Sequence, residues 1–202
     1  MNRSTPRAIY NADLTAGSLK LRESRLLAGL LLADTDELGF RAAVQKENIL
    51  QCRTVATAVR LARLIRGRLQ GFDPVFWKMV AEGSNELAVQ CLLAAAVKQS
   101  ALLRDFISQA LRDEYRALHT TLAPAVWVAF LDGCAARDPS VATWHETTAR
   151  RLRSTVFQIL AQAGFLSDTR NRTLQKVTIL PDLAKYLRQT GDSDILRSIQ
   201  IP

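Results

Sequence analysis

Residues 143–180 read TWHETTARRLRSTVFQILAQAGFLSDTRNRTLQKVTIL, and how this stretch folds decides the reading of the whole chain. Thr143 and Glu146 have the spacing of a reciprocal cap, in which hydroxyl and carboxylate satisfy the first free amides of a helix. From Glu146 to Ala163, at about 100° per residue, Ala149, Leu152, Val156, Ile159, Leu160 and Ala163 fall on one apolar arc. The opposite side carries Thr147, Arg150, Arg151, Ser154 and Gln158, side chains that bond phosphates and base edges. Arg153 falls near the apolar edge beside Phe157 and Leu160 and is read as bracing the core. Gly164 is placed to close the helix in a left-handed cap.

Asp168-Thr169-Arg170-Asn171-Arg172 is turn-rich and basic, and Leu174 to Leu180 has the partly alternating chemistry of a strand. Helix, short strand, basic turn and returning strand predict a winged helix-turn-helix, with a small β-hairpin wing near 165–180 and Ser140 to Trp144 as its short second helix. Such a module sets its helix in a major groove and its wing, with Arg170, Arg172 and Lys176, on neighbouring phosphates. The same residues also suit a helix and hairpin whose charges are merely solvated.

Working outward, the remaining chain reads as helices. The predicted spans are a first helix from about Ser18, then Glu37 to Lys46, Arg53 to Gln70, Val75 to Glu82 behind Pro74, Asn85 to Lys98, Ser100 to Ala117, Ala125 to Ala136 behind Pro124, and Leu183 to Gln189 behind Pro181. A short last helix is expected around Ile195, Leu196 and Ile199. On the third helix Val55, Ala58, Ala62, Ile65 and Leu69 form the buried arc. Arg53, Thr57, Arg60 and Arg63 lie across from it and repeat the basic layout, while Leu61 and Leu64 interrupt that polar side. The span from Asn85 to Lys98 is apolar all round, which belongs in a core. The fold class expected is mainly α. Winged helix-turn-helix-like N- and C-terminal parts are joined by a helical middle, with an N-terminal helical, helix-turn-helix-like domain over 1–112 and a C-terminal winged-helix domain over 113–202.

The 202 residues are 48% hydrophobic and 23% charged, with net charge +8. Lys and Arg outnumber Asp and Glu by 12 to 6 over residues 1–72 and by 10 to 6 over 137–202, but fall short by 5 to 7 between. Two basic ends around a slightly acidic middle fit a chain whose ends meet a polyanion. Cys52, Cys91 and Cys134 have no paired spacing for zinc or redox work and read as buried thiols in a reducing compartment. Met1 to Asp13 is a polar lead, loose at its start, with no secretory pattern. The longest apolar runs are far below the roughly 20 residues of a membrane span, so a soluble, cytoplasmic protein without membrane association is expected. Nucleotide loops and hydrolase or metalloprotease motifs are absent, and neither His119 nor His145 has the spacing of a metal ligand. The reading is therefore non-catalytic, with no metal and no cofactor.

Tyr10-Asn11-Ala12-Asp13-Leu14-Thr15-Ala16-Gly17-Ser18-Leu19, followed by Arg22-Glu23-Ser24-Arg25, resembles the N-terminal signature of BrxA, a small component of bacteriophage exclusion (BREX) defence systems in bacteria. The arginine-rich third helix and the segment from Thr143 to Leu166 are similar as well. The resemblance implies an all-helical protein with small wings that binds double-stranded DNA and supports phage restriction alongside other BREX proteins, a methyltransferase and ATPases among them. Alternatives are a structural adaptor for those proteins, or a regulator that binds RNA as the NusB antitermination factor does. The class of contact it implies falls on Arg150, Arg151, Thr147 and Ser154, on Arg170, Arg172 and Lys176, and on Arg53, Thr57 and Arg60.

Overall fold

The computed structural model describes residues 8–201, apart from the side chains of Thr15 and Ala16; the expected loose start at Met1 to Arg7 lies outside the described residues. The molecule is mainly helical. Its helices are α1 (Leu21–Leu32), α2 (Glu37–Gln45), α3 (Val55–Leu69), α4 (Pro74–Glu82), α5 (Asn85–Gln99), α6 (Ala101–Asp105), α7 (Arg112–Arg116), α8 (Pro124–Arg137), α9 (Glu146–Gln162), α10 (Pro181–Gln189) and α11 (Ser193–Ile199). A π-helical turn, Phe106–Leu111, joins α6 to α7 in one rod, and 3-10 turns occupy Asp13–Ala16 and Val141–Thr143.

Local chemistry starts most of these helices. Asp36, Thr54, Asp73, Ser84 and Ser100 each accept a backbone N–H of the first turn through the side chain, which satisfies one of the donors a helix leaves unpaired. Pro74, Pro124 and Pro181 occupy first-turn positions, where the missing N–H costs nothing. Ser18 is not a cap. It is buried, and α1 begins after Lys20 in the left-handed region.

α5 is the hub. It touches α1, α3, α4, α6, α10 and α11, and every residue from Cys91 to Val97 is buried. A helix apolar all round has no solvent face and is stable only with neighbours on every side. At Ser100 the chain bends by 111° into the rod Ala101–Arg116, and no single helix among the described residues is long and apolar enough to cross a membrane. Around the π turn, Phe106 packs edge-on against Phe130 and tilted against Trp127, joining α6 to α8.

The segment that carries the BrxA resemblance is a strap across this helical body. Asp138 accepts the backbone N–H groups of Ile9 and Tyr10 at 2.7 and 3.0 Å, and the Tyr10 hydroxyl donates to Asp105 at 2.7 Å. Further on, Leu19 N–H donates to Gln162 of α9, and the guanidinium of Arg68 on α3 donates to the carbonyls of Gly17 and Ser18. The strap therefore ties α3, α6, α8 and α9 together.

The expected β-hairpin wing is corrected by the structure. Among the described residues there is no strand, only two isolated antiparallel bridges, Leu166 with Leu174 and Thr121 with Thr173. Pairing stops because the returning chain finds another partner. The buried amide of Gln90 on α5 donates to Thr178 O at 2.9 Å and accepts from Leu180 N at 2.8 Å, as a neighbouring strand would. The segment 176–180 thus lies extended on the core, and the winged helix-turn-helix at either end is not supported.

Candidate nucleic-acid interface

α9 presents the polar stripe expected of it. Leu152, Val156, Ile159 and Leu160 are fully buried, while Thr147, Arg150, Arg151, Ser154 and Gln158 are exposed. Its cap differs from expectation. Thr143 closes a 3-10 turn by donating to Ser140 O, and it is His145 whose Nδ1 accepts the Thr147 N–H at 3.3 Å. At the other end Gly164 adopts φ +83°, the left-handed cap that a side chain disfavours.

Beyond Gly164 the chain forms a hydrogen-bonded turn. The Asp168 carboxylate accepts the N–H groups of Arg170 and Asn171, both at 2.6 Å, and the Asn171 side chain. Those bonds favour the charged form and hold its pKa below the ordinary carboxylate value. Arg172, at φ +56°, donates from Nε to Leu122 O while its own carbonyl accepts Leu122 N–H. The Tyr115 hydroxyl reaches Phe165 O and Gln175 O across the base of the turn.

Between α9 and this turn lies an open groove of about 440 Å³, lined by Pro124, Arg153, Ser154, Phe157, Gln158, Thr169 and Arg172. It joins Ser154 and Gln158 of the helix to Arg172 of the turn, and no carboxylate lines it. Arg153, read from sequence as a core brace, is half-buried and forms part of its wall; its place at the edge of the apolar arc was the available signal, since the edge of a buried face is where a groove begins. Pro124, Phe157 and Thr169 also line it and were not among the predicted contacts. On the far side of Arg153, between α8 and α9, a smaller groove of about 240 Å³ sets Arg150 and Arg153 against Asp132 and Glu146. Arg150 pairs with Glu146 at 2.5 Å with both side chains in solvent, where such pairs contribute little. Arg151 makes no ion pair among the described residues, and Arg170 is exposed on the turn.

The other predicted residues separate. Lys176 borders a groove between the start of α5 and the end of α9, with Glu86 beside it. Arg53 precedes the helix cap and is exposed, and Thr57 bonds the capping hydroxyl of Thr54 at 2.9 Å. Arg60 is exposed on α3. Arg63 faces a different groove, between α2 and α3. No group of three or more His, Cys, Asp or Glu side chains among the described residues is arranged to hold a metal. Cys91 is buried in α5, its thiol pushed up to about 12 by desolvation.

The family model for BrxA matches residues 8–191. The chain belongs to the BrxA family. Two relatives named "BREX protein BrxA" are 40% identical over 95% of this chain and 96% of their own length, from Paramagnetospirillum magneticum, and 32% identical over 93% and 88%, from Escherichia coli O9:H4. A third of that name, from Bacillus cereus, is 22% identical over 91% and 92%. A crystal structure of an uncharacterized protein from Magnetospirillum magneticum superposes with a TM-score of 0.87 at 38% identity, covering 96% of this chain and 99% of that one. The BrxA match includes the strap, the central helix and the turn after α9.

Proposed function

We propose that this BrxA chain is a non-catalytic component of a BREX anti-phage defence system that binds double-stranded DNA through α9 and the 167–173 turn. The observation that carries the reading is the groove between these two elements, lined by Arg153 and Arg172, the hydroxyls of Ser154 and Thr169 and the Gln158 amide, with no carboxylate. Arg151 and Arg170 stand exposed on the flanking surfaces. In this reading α9 enters the major groove, Thr147, Arg151, Ser154 and Gln158 meet the backbone and base edges, and the turn holds the adjacent phosphates. The turn does the positioning that a wing would do, without strands. Arg53 and Arg60 supply a second cationic patch on the N-terminal half, and other BREX proteins are the partners the family name suggests.

DNA is preferred to RNA because sequence reading of RNA uses accessible aromatic faces. Phe157 and Phe165 are the aromatic residues of α9 and the turn, and both are buried. If about six phosphates are contacted, log affinity falls with log salt at a slope near roughly −5. The deciding experiment is a titration of duplex DNA, duplex RNA and single strands across salt, repeated with Arg150→Ala/Arg151→Ala. Duplex DNA should bind best, and the double variant should lose at least about tenfold without loss of fold. Equal affinity of the variant would remove α9 from the interface.

A further inference from the structure

A groove of about 550 Å³ lies in the other half of the molecule, between α2 and α3. Its floor is apolar, made by Phe40, Val44, Val59 and Ala62, and its rims carry Arg41 and Arg63. Both arginines are exposed and make no ion pair among the described residues, whereas Arg66 is already held by Glu37 at 2.7 Å and lies over the Phe40 ring. Each helix also carries an exposed apolar residue outside the groove lining, on α2 in line with the rim and on α3 in line with the floor. Leu38 precedes Arg41 and Gln45 on one stripe of α2 and is 74% exposed, and Val55 precedes Val59 and Ala62 on one stripe of α3 and is 54% exposed.

We propose that this groove docks an acidic amphipathic helix of a partner protein, with apolar side chains on the floor and carboxylates against Arg41 and Arg63. Charge complementarity selects the occupant: the groove carries three arginines against one glutamate. Exposed leucine and valine beside an apolar floor are features of protein-binding surfaces, and an amphipathic helix offers anchors at the spacing a two-helix groove accepts. Nucleic acid fits this groove less well. Arg66 covers Phe40 at 4.5 Å from the ring centre, so no base stacks there. The groove is separate from the α9 surface proposed for DNA and shares only α3 with the second cationic patch at Arg53 and Arg60.

The test uses the full chain and a labelled synthetic helix with Leu at positions i, i+3, i+4 and i+7 and Glu on both flanks, followed by fluorescence anisotropy. A peptide with Lys replacing every Glu is the control. The acidic peptide should bind saturably and the basic one should not. Arg41→Glu with Arg63→Glu should weaken binding by about tenfold or more, as reversed charges across an interface do. Leu38→Ala, at an exposed position that leaves the core intact, should weaken it by about threefold. Arg188→Glu, the same charge change at an exposed position of α10 outside the groove, should leave it within about twofold. Absence of acidic-peptide binding, equal binding of the basic peptide, indifference to the Arg41 and Arg63 reversals, or displacement by excess duplex DNA would each overturn the proposal.

Discussion

α3 and α9 have the same pattern in sequence, an amphipathic helix rich in arginine, and the fold uses them differently. α9 keeps its arginines at or near the surface: Arg150 and Arg151 are exposed, and Arg153 is half-buried in a groove wall. α3 turns its arginines progressively inward. Arg60 is exposed, Arg63 faces a groove, Arg66 stacks on Phe40, and Arg68 is buried with its guanidinium bonded to Ser18 O at 2.7 Å, Gly17 O at 3.0 Å and Gln99 at 3.3 Å. The cause is what packs on each helix. α3 is covered on a second side by the strap, so Leu61, Leu64 and Arg68 form a second buried stripe beside the Ala58–Ile65 arc. An arginine count therefore says little about anion binding until the covering elements are known.

The largest test of this contrast is Arg68→Ala. Removing the guanidinium strands the carbonyls of Gly17 and Ser18 and empties a buried site, and bonds to a charged donor are worth about 1.5–3 kcal/mol each. Denaturant unfolding should show a loss of about 3 kcal/mol or more. Arg151→Ala, on the open face of α9, should stay within about 0.5 kcal/mol. Equal losses would mean that the two helices are not used differently. Burial lowers the Arg68 pKa to about 10, which still leaves it charged at neutral pH.

Gln90→Leu is the next largest effect. Gln90 fills the place of a strand partner for 178–180, and leucine leaves Thr178 O and Leu180 N without that partner. A loss of about 2 kcal/mol in chemical denaturation is expected, with faster amide exchange at Leu180. Unchanged exchange would show that the extended segment is held by its apolar contacts alone.

Asp138 links the strap to α8 and makes the stability depend on acid. Its bonds to the N–H groups of Tyr10, Ser140 and Ile9 lower its pKa from 3.8 to about 2. A depressed carboxyl contributes fully above its unfolded pKa and loses that contribution as the folded group takes up its proton. Stability should thus be at its plateau above pH 3.8 and fall towards pH 2. Asp138→Asn should lower the plateau and flatten the fall, read as thermal midpoint against pH. An unaltered acid limb would place the sensitivity in other carboxylates.

How far the sequence could be read follows from how local each determinant is. The caps at Asp36, Thr54, Asp73 and Ser84 and the prolines at 74, 124 and 181 act within one turn, so the helices they start were legible to within a residue or two. The all-round apolar run of α5 named the core. The polar stripe of α9 was legible from period alone, and so was its glycine cap. The wing was not, because strand chemistry in 174–180 reports an extended, half-buried segment whatever satisfies its backbone, and Gln90 lies 88 residues away from Thr178. Arg172 was an expected neighbour of α9, but Thr169 was not, since it is brought to the groove by a turn pinned to Leu122 and Tyr115. The strap was visible as a motif, but its role depends on Asp105, Asp138, Gln162 and Arg68, none of which is close to it in sequence.

The smallest expected effect sharpens the contrast most directly, because it compares one exposed arginine from each helix under one measurement. Arg151→Ala and Arg60→Ala both remove a solvated cation, and neither side chain has an ion pair among the described residues, so stability should not separate them. Duplex affinity should. Loss of one phosphate contact lowers the salt slope by roughly 0.9, and Arg151 lies on the surface proposed to meet the duplex closely, beside Ser154 and Gln158. Arg60 belongs to the second patch, so its removal should shift the slope by less. A larger change for Arg60 would move the principal DNA contact to α3, and the α2–α3 groove would then have to be reconsidered as part of the same surface.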